Sequence, residues 1–458
     1  MKPNIILITI DALRADHLGY MGYNKNITPN IDKLSKESVV FTNAYSTGPV
    51  TPHSFPGILT STYPFDYNGP AKIDRGRILI SEVLKSNGYI TAAFHSNPYL
   101  SDFLGFNKGW DYFEDISPSD FFSFNSKKNK TNKINLFLKL LFKKFTLNFS
   151  PYLFFITKYL RYRITKNENI IPSSKVKASF LNLIAKEFIN SLNGKNKSFF
   201  LWIHYMDVHD PYLSLNTYLY NAIPNFWEYT FDQIRGLKDF YKKKPFYKFI
   251  KNHLEKCIEL YDEGIGYLDS QIGDLLKFLK DKQIYNKSII ILTADHGDEF
   301  FEHEGFSHLP KLYNELLHVP LLIKLVNNKP LKINKTISLI DLSPTICSLI
   351  EISIPKFFKG RNLFENQNLP IFYQTISDSI PESNFLIFNL KSLSQCKLAC
   401  QFQGWKYIID YGTEKEELYN LISDPKETKN LLFKEINTVK AMKNLIEEFI
   451  KNNPPFLE

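Results

Sequence analysis

Cysteine is scarce in this sequence: four of the 458 residues are cysteines, and none belongs to a Cys-x-x-Cys pair. A disulfide scaffold or a zinc finger therefore has little support. Cys396 and Cys400 are four residues apart, a spacing that would place both on one face of a helix. We expect all four cysteines to be reduced thiols.

Long apolar runs are also missing. No stretch reaches the roughly 18 uninterrupted apolar residues that a transmembrane helix needs. The first residues lead directly into "NIILITI" (4–10), which is typical of a buried strand rather than of a signal peptide. These features predict a cytoplasmic protein, with peripheral contact to a membrane left open.

Acidic residues are absent from one segment. Between Phe121 and Asn167 the sequence has eleven lysines and arginines and no aspartate or glutamate, whereas the whole chain has a net charge of +9. The basicity is local, so we expect no nucleic-acid binding. Residues 117–175 are interpreted as a basic, Phe/Leu-rich helical insertion. Either the insertion is an interfacial helix pair that contacts a hydrophobic substrate or, through 127–166, an anionic membrane surface, or it is a buried helical cap.

The hydrophobic residues, 44% of the chain, include three runs typical of buried parallel strands, at 4–10, 198–205 and 288–294. Each run ends in polar residues: Asp11, then "MDVHDP", then "DHGDEF". Ligands of open α/β sheets bind at the carboxyl ends of the strands. We therefore expect these three strand ends to meet at one site.

Two carboxylates and one imidazole at those ends suggest a divalent cation site: Asp11, Asp295 and His296. The Thr51 hydroxyl could supply a fourth ligand if a helix begins at Pro52, and a cation there would activate that oxygen as a nucleophile. Taken singly, Asp11 and Asp295 could instead be helix N-caps. Their combination favours the metal site.

Histidines cluster at the same segment ends. His209 lies in a loop and could reach a bound anion or a leaving group, and His308 follows the third strand. His95 ends another apolar run, with Asn97 beside it as a polar contact. His204 lies within an apolar run and is interpreted as a satisfied core histidine.

Ordered motifs along some 430 residues resemble those of the sulfatase family of the alkaline phosphatase superfamily. They are "IDALRADHLGYMGY", "TPNIDKLSKESVVFTNAYS", "GYITAAF" with "GFNKGWDYFED", "FFLWIHYMDVHDPY", "YDEGIGYLDSQIGDLLKFLKDKQIYNKSIIILTADHGDEF", "ELLHVPLLI", "ISLIDLSPTICSLIEI" and "EELYNLISDPKETKNLL". The resemblance implies an α/β sandwich with a large mixed sheet flanked by helices and a smaller C-terminal antiparallel sheet. The implied domains are a catalytic unit at 1–116 and 176–365, the insertion at 117–175, and a small-sheet subdomain at 366–458.

The resemblance also implies roles for individual residues. The metal ligands would be Asp11, Asp295 and His296, and Thr51 would take the nucleophile position of the motif Cys/Ser-x-Pro-Ser-Arg. His209 would match the family histidine that contacts the transferred group. Substrate choice would depend on the insertions, here 117–175 and 210–250.

Several positions depart from the family pattern. Sulfatases convert the motif's Cys or Ser to formylglycine, and Thr51 cannot form that aldehyde. Phe55 replaces the motif's arginine, Ala12 replaces the usual second aspartate, and Leu309 replaces an expected lysine. A threonine nucleophile beside an Asp/Asp/His site is similar to phosphoethanolamine transferases and lipoteichoic acid synthases, which attack phosphorus.

We therefore expect an ester hydrolase that acts on sulfate or phosphate esters of a small molecule, glycan or lipid, with phosphoester chemistry favoured. The alternatives are a phosphoryl-group transferase acting on a lipid or glycan, and an inactive sulfatase-like scaffold. Manganese or zinc is favoured over calcium or magnesium, because an imidazole ligand suits the former pair.

The predicted mechanism begins with attack by Thr51, and His209 or His308 then protonates the leaving oxygen. Arg14 and Lys311 are candidates for neutralising the anion, together with His95 and Asn97 as substrate-binding residues. Arg14 could equally be a salt-bridge partner.

Overall fold

The computed structural model of the chain describes residues 2–69, 72–73, 76–116, 176–192, 197–210, 212, 248, 250–327, 329–365, 368–380 and 392–453. The insertion predicted at 117–175, with its basic stretch 127–166, lies outside these residues. So does most of the second insertion, 210–250.

The strands of the described residues are β1 (Asn4–Ile10), β2 (Val39–Tyr45), β3 (Ile90–His95), β4 (Tyr112–Asp115), β5 (Phe199–Tyr205), β6 (Ser288–Ala294), β7 (Glu299–Phe300), β8 (Phe306–Ser307), β9 (His318–Lys324), β10 (Leu331–Ser338), β11 (Ile371–Ile376), β12 (Cys396–Phe402), β13 (Trp405–Asp410) and β14 (Lys415–Asn420). The α-helices are α1 (Pro29–Ser35), α2 (Thr51–Thr60), α3 (Ile80–Ser86), α4 (Ala178–Ser191), α5 (Leu254–Asp281), α6 (Asn314–Leu317), α7 (Leu342–Leu349) and α8 (Ile436–Asn452).

Eight strands form one large sheet in the order β10-β2-β9-β6-β1-β5-β3-β4. Only β9 runs antiparallel to its neighbours β2 and β6, so the sheet is mixed. The three apolar runs of the sequence are its central strands β6, β1 and β5, paired in parallel as predicted. Nearly every residue of these three strands is buried, because both faces of a parallel sheet need cover from helices.

The helices begin and end where local chemistry predicts. Pro29 and Pro52 occupy the first turns of α1 and α2, where a missing N–H costs no helical hydrogen bond. Gly88, with φ of 88°, follows α3 and turns the chain into β3. The long helix α5 packs against both α1 and α4. None of the helices in the described part of the chain combines the length and apolarity needed to cross a membrane.

A second, antiparallel sheet, β11-β12-β13-β14, follows with α8 packed on β12 and β13. Sheet and helix lie within the predicted subdomain 366–458. Here the helical placement of Cys396 and Cys400 is wrong, because both lie in strand β12. They still share one face, since side chains of a strand alternate with a period of two. All four cysteines are free and buried.

A buried ion pair lies where the small sheet contacts the start of α6. The Lys406 ammonium on β13 lies 2.7 Å from a Glu427 carboxylate oxygen, and neither side chain is exposed. Glu427 also accepts a hydrogen bond from the Asn314 backbone N–H at 2.6 Å, at the start of α6.

We expect Lys406→Met to destabilise the protein by about 3–5 kcal/mol, because it leaves the Glu427 carboxylate buried and unpaired. Denaturant unfolding of both proteins measures the difference. Lys415→Met, at an exposed position, is the matched control and should change stability by less than about 0.5 kcal/mol. Equal losses in the two variants would contradict a special role for the buried pair.

Candidate active site and metal centre

The polar residues after the central strands lie together at one edge of the large sheet, as predicted. Asp11 directly follows β1, and Asp295 and His296 directly follow β6. One donor atom from each of these three buried residues lies within 4.8 Å of the others. Parallel neighbours place their carboxyl ends side by side, and this explains the convergence of residues 284 positions apart.

Thr51 is the first residue of α2 and points into this group. Its hydroxyl oxygen lies 3.0 Å from an Asp295 oxygen, 3.5 Å from an Asp11 oxygen and 3.4 Å from His296 Nε2. The expectation of a helix after Pro52 is confirmed. The N-cap residue of α2 is Val50. The N-cap residue of the first helical turn after β1 is Arg14, so the interpretation of Asp11 as an N-cap does not hold.

The tautomer of His296 follows from its backbone contact. Its Nδ1 lies 2.9 Å from the Gly297 carbonyl oxygen, which can only accept a hydrogen bond. Nδ1 therefore carries the proton in the neutral ring, and the Nε2 lone pair faces the two carboxylates. Burial and the neighbouring His308 lower the pKa of His296 to about 4, which keeps the ring neutral and able to ligate.

One oxygen of Asp11 supports a cation at this site. Oδ2 accepts hydrogen bonds from Asn97 Nδ2 at 2.7 Å and from His204 Nε2 at 3.1 Å. Oδ1 is buried and has no hydrogen-bond partner among the described residues, yet it lies 3.6 Å from His296 Nε2. An unpartnered buried carboxylate oxygen is costly unless a ligand satisfies it. The donor set of two carboxylates, an imidazole and a hydroxyl fits a divalent cation.

The two carboxylates affect each other's ionisation. Burial and the negative charge of Asp11 raise the pKa of Asp295. For Asp11, burial opposes ionisation, but His209 and a hydrogen bond from His204 outweigh it, so its pKa falls well below the usual range. Two buried like charges this close favour a cation between them.

Ala12, in place of the family's second aspartate, has a structural role. Its φ is 59°, in the left-handed region that a non-glycine residue seldom adopts. The Tyr261 hydroxyl donates to the Ala12 carbonyl at 2.7 Å and accepts from the Arg14 N–H at 2.9 Å. Tyr261 thereby fixes the turn that presents Asp11.

His204 is more than the satisfied core histidine that the sequence predicts. It is a satisfied, fully buried histidine, as expected, but its Nε2 binds Asp11 directly. Its Nδ1 lies 3.0 Å from the Thr9 hydroxyl, which accepts a hydrogen bond from Trp202 Nε1 at 2.9 Å. This chain of contacts fixes the ring so that it donates to Asp11 Oδ2 and leaves Oδ1 for a ligand.

We expect His204→Phe to weaken divalent metal binding by about 10–100-fold, the usual effect of removing a group that orients a metal ligand. Competition with a fluorescent chelator measures the affinity. His204→Gln keeps an N–H donor near the Nε2 position and should therefore retain most of the metal affinity of wild type. Equal affinity in wild type and His204→Phe would show that Asp11 needs no such support.

A second group lies beside the first. His209 Nε2 is 3.9 Å from Asp11 Oδ1, and the His308 ring is centred 4.5 Å from the His209 ring and 4.7 Å from that of His296. His308 Nδ1 lies 2.8 Å from Asp298 Oδ1. Burial and His209 oppose the charged form of His308, but Asp298 outweighs them and raises the pKa of His308. Both predicted leaving-group histidines therefore border the Thr51 site.

The two cations predicted to neutralise the anion are held by acidic residues. The Arg14 guanidinium pairs with Asp16 at 2.8 Å and with Glu302 at 2.6 Å. Arg14 is therefore a salt-bridge partner, the second of its two predicted roles. The Lys311 ammonium lies 2.8 Å from Glu299 and bonds to a backbone carbonyl. Substrate binding by either remains a prediction.

Asn97 and His95 differ in position. Asn97 lies between Asp11 and Thr51, with its amide nitrogen 2.7 Å and 3.4 Å from their oxygens. His95 is fully buried at the end of β3 and stacks on Trp202, with ring centroids 5.5 Å apart. Burial, reinforced by His204, lowers the pKa of His95 to about 3. Contact between His95 and substrate stays a prediction.

Family comparison identifies the sequence over most of its length. The family model described as "Sulfatase" matches residues 3–352, and the model described as "N-sulphoglucosamine sulphohydrolase, C-terminal" matches residues 302–453.

Curated relatives are distant. Arylsulfatase K of Gallus gallus is 25% identical over 46% of this chain and 40% of that protein. The ulvan-active sulfatase of Formosa agariphila is 25% identical over 80% of this chain and 65% of that protein. An arylsulfatase of Clostridium perfringens is 26% identical over 94% of this chain and 90% of its own length. The match thus spans less than two thirds of the first two relatives.

Solved structures share the fold. BT4656, solved in complex with its substrate D-glucosamine-2-N,6-O-disulfate, superposes with a TM-score of 0.68 and 17% identity, over all of both chains. A phosphonate monoester hydrolase of Agrobacterium radiobacter gives a TM-score of 0.66 and 16% identity, over 99% of this chain and 96% of that one.

Proposed function

The chain belongs to the sulfatase family, and we propose that it is a metal-dependent ester hydrolase in which Thr51 is the nucleophile and phosphate esters are preferred to sulfate esters. The observation that carries the proposal is the Thr51 hydroxyl, placed at the start of α2 within 3.5 Å of Asp11, Asp295 and His296.

The chemistry of Thr51 favours phosphorus. A family enzyme with formylglycine attacks as the hydrate, which carries two oxygens on Cβ, and expels sulfate by collapse to the aldehyde. Threonine carries one oxygen and a methyl group on Cβ, so this route is closed to it. A phosphothreonine can instead be released by in-line attack of water at phosphorus. A sulfothreonine has no comparably easy exit. A phosphonate monoester hydrolase has the same fold, so the fold is compatible with a phosphorus substrate.

In the first step Thr51 Oγ1 forms a bond to phosphorus, and the bond from phosphorus to the alcohol oxygen breaks, with its electron pair staying on that oxygen. The Thr51 hydroxyl donates to Asp295 Oδ2 at 3.0 Å, so its proton has an acceptor. Asn97 Nδ2 donates to Thr51 Oγ1 at 3.4 Å and holds that oxygen in place. Water then cleaves the phosphothreonine and restores the hydroxyl.

Asp11, Asp295, His296 and Thr51 would hold the divalent cation. A cation bound there would supply charge to polarise the ester and to lower the pKa of the Thr51 hydroxyl. We propose manganese or zinc, because His296 contributes an imidazole and calcium prefers an all-oxygen shell.

The alcohol part of the substrate is proposed from the neighbours. BT4656 was solved with a sulfated glucosamine, and another neighbour was solved with neocarrahexaose. A glycan or small-molecule ester is therefore the first substrate class to test.

The deciding assay compares three matched nitrophenyl substrates: a sulfate, a phosphate monoester and a phosphodiester. The protein is stripped of metal and reloaded with manganese, zinc or calcium. We expect turnover of a phosphoester to exceed turnover of the sulfate by at least tenfold with manganese or zinc. Preferential sulfate turnover would overturn the argument from the missing aldehyde. Inactivity on all three, with no metal retained, would favour the scaffold alternative.

A further inference from the structure

Four side chains beside the Thr51 site have the composition of a metal centre of their own. They are two imidazoles and two carboxylates, from His209, Asp210, Asp298 and His308. One donor atom from each of His209, Asp210 and His308 lies within 4.8 Å of the others. His209 Nδ1 contacts the Asp210 backbone carbonyl oxygen and lies 3.0 Å from Asp210 Oδ1, so Nδ1 carries the proton and Nε2 is the nitrogen left to ligate. His308 Nδ1 lies 2.8 Å from Asp298 Oδ1 and 3.9 Å from Asp210 Oδ1.

These donors are held in place in the way that metal ligands usually are. Asp298 is fully buried, and the buried Tyr212 hydroxyl donates to its Oδ2 at 2.9 Å, which leaves Oδ1 facing His308. Such outer hydrogen bonds orient ligating carboxylates in metal sites. The His209 and His308 side chains are only 20% and 18% exposed, so the group is partly open to solvent and an ion can enter.

At two positions the chain lacks the positive charge that the family pattern supplies for an anionic ester. Phe55 and Leu309 occupy the positions at which the family pattern has an arginine and a lysine. The two nearby cations, Arg14 and Lys311, are committed to acidic partners. An additional cation beside Asp11 would supply the missing charge.

We propose that His209, Asp210, Asp298 and His308 bind a second divalent cation of the manganese or zinc class, next to the one held by Asp11, Asp295 and His296. Imidazole and carboxylate donors in equal number suit these metals. Binding of this second cation does not depend on the proposed function. The catalytic use of the ion does, because paired metals act as a clamp on the attacking and leaving oxygens of a phosphoester.

The second cation changes the predicted role of two histidines. A ring nitrogen that ligates a metal cannot also deliver a proton. His209 and His308 would then stabilise the leaving oxygen through the ion rather than protonate it, and this replaces the general-acid role predicted from the sequence.

The experiment counts metal ions. Stripped wild-type protein is loaded with Mn²⁺, freed of excess ions, and analysed by inductively coupled plasma mass spectrometry, with electron paramagnetic resonance to detect coupling between neighbouring ions. We expect two ions per chain in wild type, one in His308→Gln and one in Asp295→Asn. The exchange coupling should disappear in both variants. His253→Gln, a matched control before α5, should keep two.

Tyr212→Phe tests the outer hydrogen bond and keeps the bulk of the ring. It should weaken binding of one of the two ions by about 10–100-fold and leave the other unchanged. This variant also guards against misfolding of His308→Gln, because it removes only one oxygen atom.

Each outcome decides the proposal. One ion in wild type, or two ions that persist in His308→Gln, would overturn it. A protein that binds two ions but hydrolyses no ester would keep it and overturn the proposed function. A protein that hydrolyses a phosphoester with a single ion would overturn the second cation and leave the proposed function standing.

Discussion

Thr51→Ala should reduce phosphoester turnover by at least about 10⁴-fold, the order of loss seen when a covalent nucleophile is removed. The variant lacks the only atom that can form the covalent intermediate in the proposed mechanism. The helix should survive, since alanine is the best helix former and the Thr51 side chain does not cap α2. Steady-state kinetics with the preferred nitrophenyl phosphoester measures the loss.

Thr51→Ser is the matched control. It restores a hydroxyl at the same position and should recover most of the activity, within about tenfold to a hundredfold of wild type, because the smaller side chain is less well oriented. Activity retained in Thr51→Ala would mean that water is activated directly, and the nucleophile assignment would be wrong. Trapping ³²P on wild type but not on Thr51→Ala would confirm the covalent step.

The central sheet was predictable because its strands have a simple pattern. The runs at 4–10 and 288–294 are apolar throughout, a pattern that buried parallel strands require. The position of Asp11 and Asp295 at their ends was therefore enough to predict that the two meet. The strands β2, β9 and β10 join the same sheet through pairings that no local pattern specifies.

Side-chain partners were less predictable than positions. The sequence allows two roles for Arg14, binding of an anion and formation of a salt bridge. Only the fold shows that Glu302, 288 residues away, accepts a hydrogen bond from Arg14. The ends of β1 and β5 are neighbours in the sheet, and their pairing register brings His204 next to Asp11. The sequence alone does not determine that register. No pattern in the sequence singles out Asp298, although it lies three residues after Asp295.

The prediction that Cys396 and Cys400 lie on a helix is wrong because it used local spacing without the pairing partners. A spacing of four residues suits one face of a helix and one face of a strand equally. The alternation in "CKLACQF" and its pairing with β11 and β13 decide for the strand. Local spacing without the partner strands could not make that choice.

Asp295→Asn should abolish metal-dependent activity and yet make the metal-free protein more stable. Asp11 and Asp295 are fully buried, and their donor oxygens lie within 4.8 Å of each other. Without a cation, two like charges in a dry site destabilise the fold. Asparagine removes one charge and keeps the carbonyl oxygen, which can still accept from the Ala12 and His296 N–H groups that now bond Oδ1.

Thermal unfolding with and without added metal separates the two effects. Each bound ion should stabilise wild type by about 2.7 kcal/mol when the free metal concentration is 100 times its dissociation constant. In Asp295→Asn the ion at this site is lost, so the shift should shrink, while the metal-free protein should melt at a higher temperature than metal-free wild type. Asp274→Asn, on the surface of α5, is the matched control and should change neither the metal response nor the activity. A metal-free Asp295→Asn protein that melts lower than wild type would show that the carboxylate is needed for the fold itself, and that the two buried charges are not in conflict.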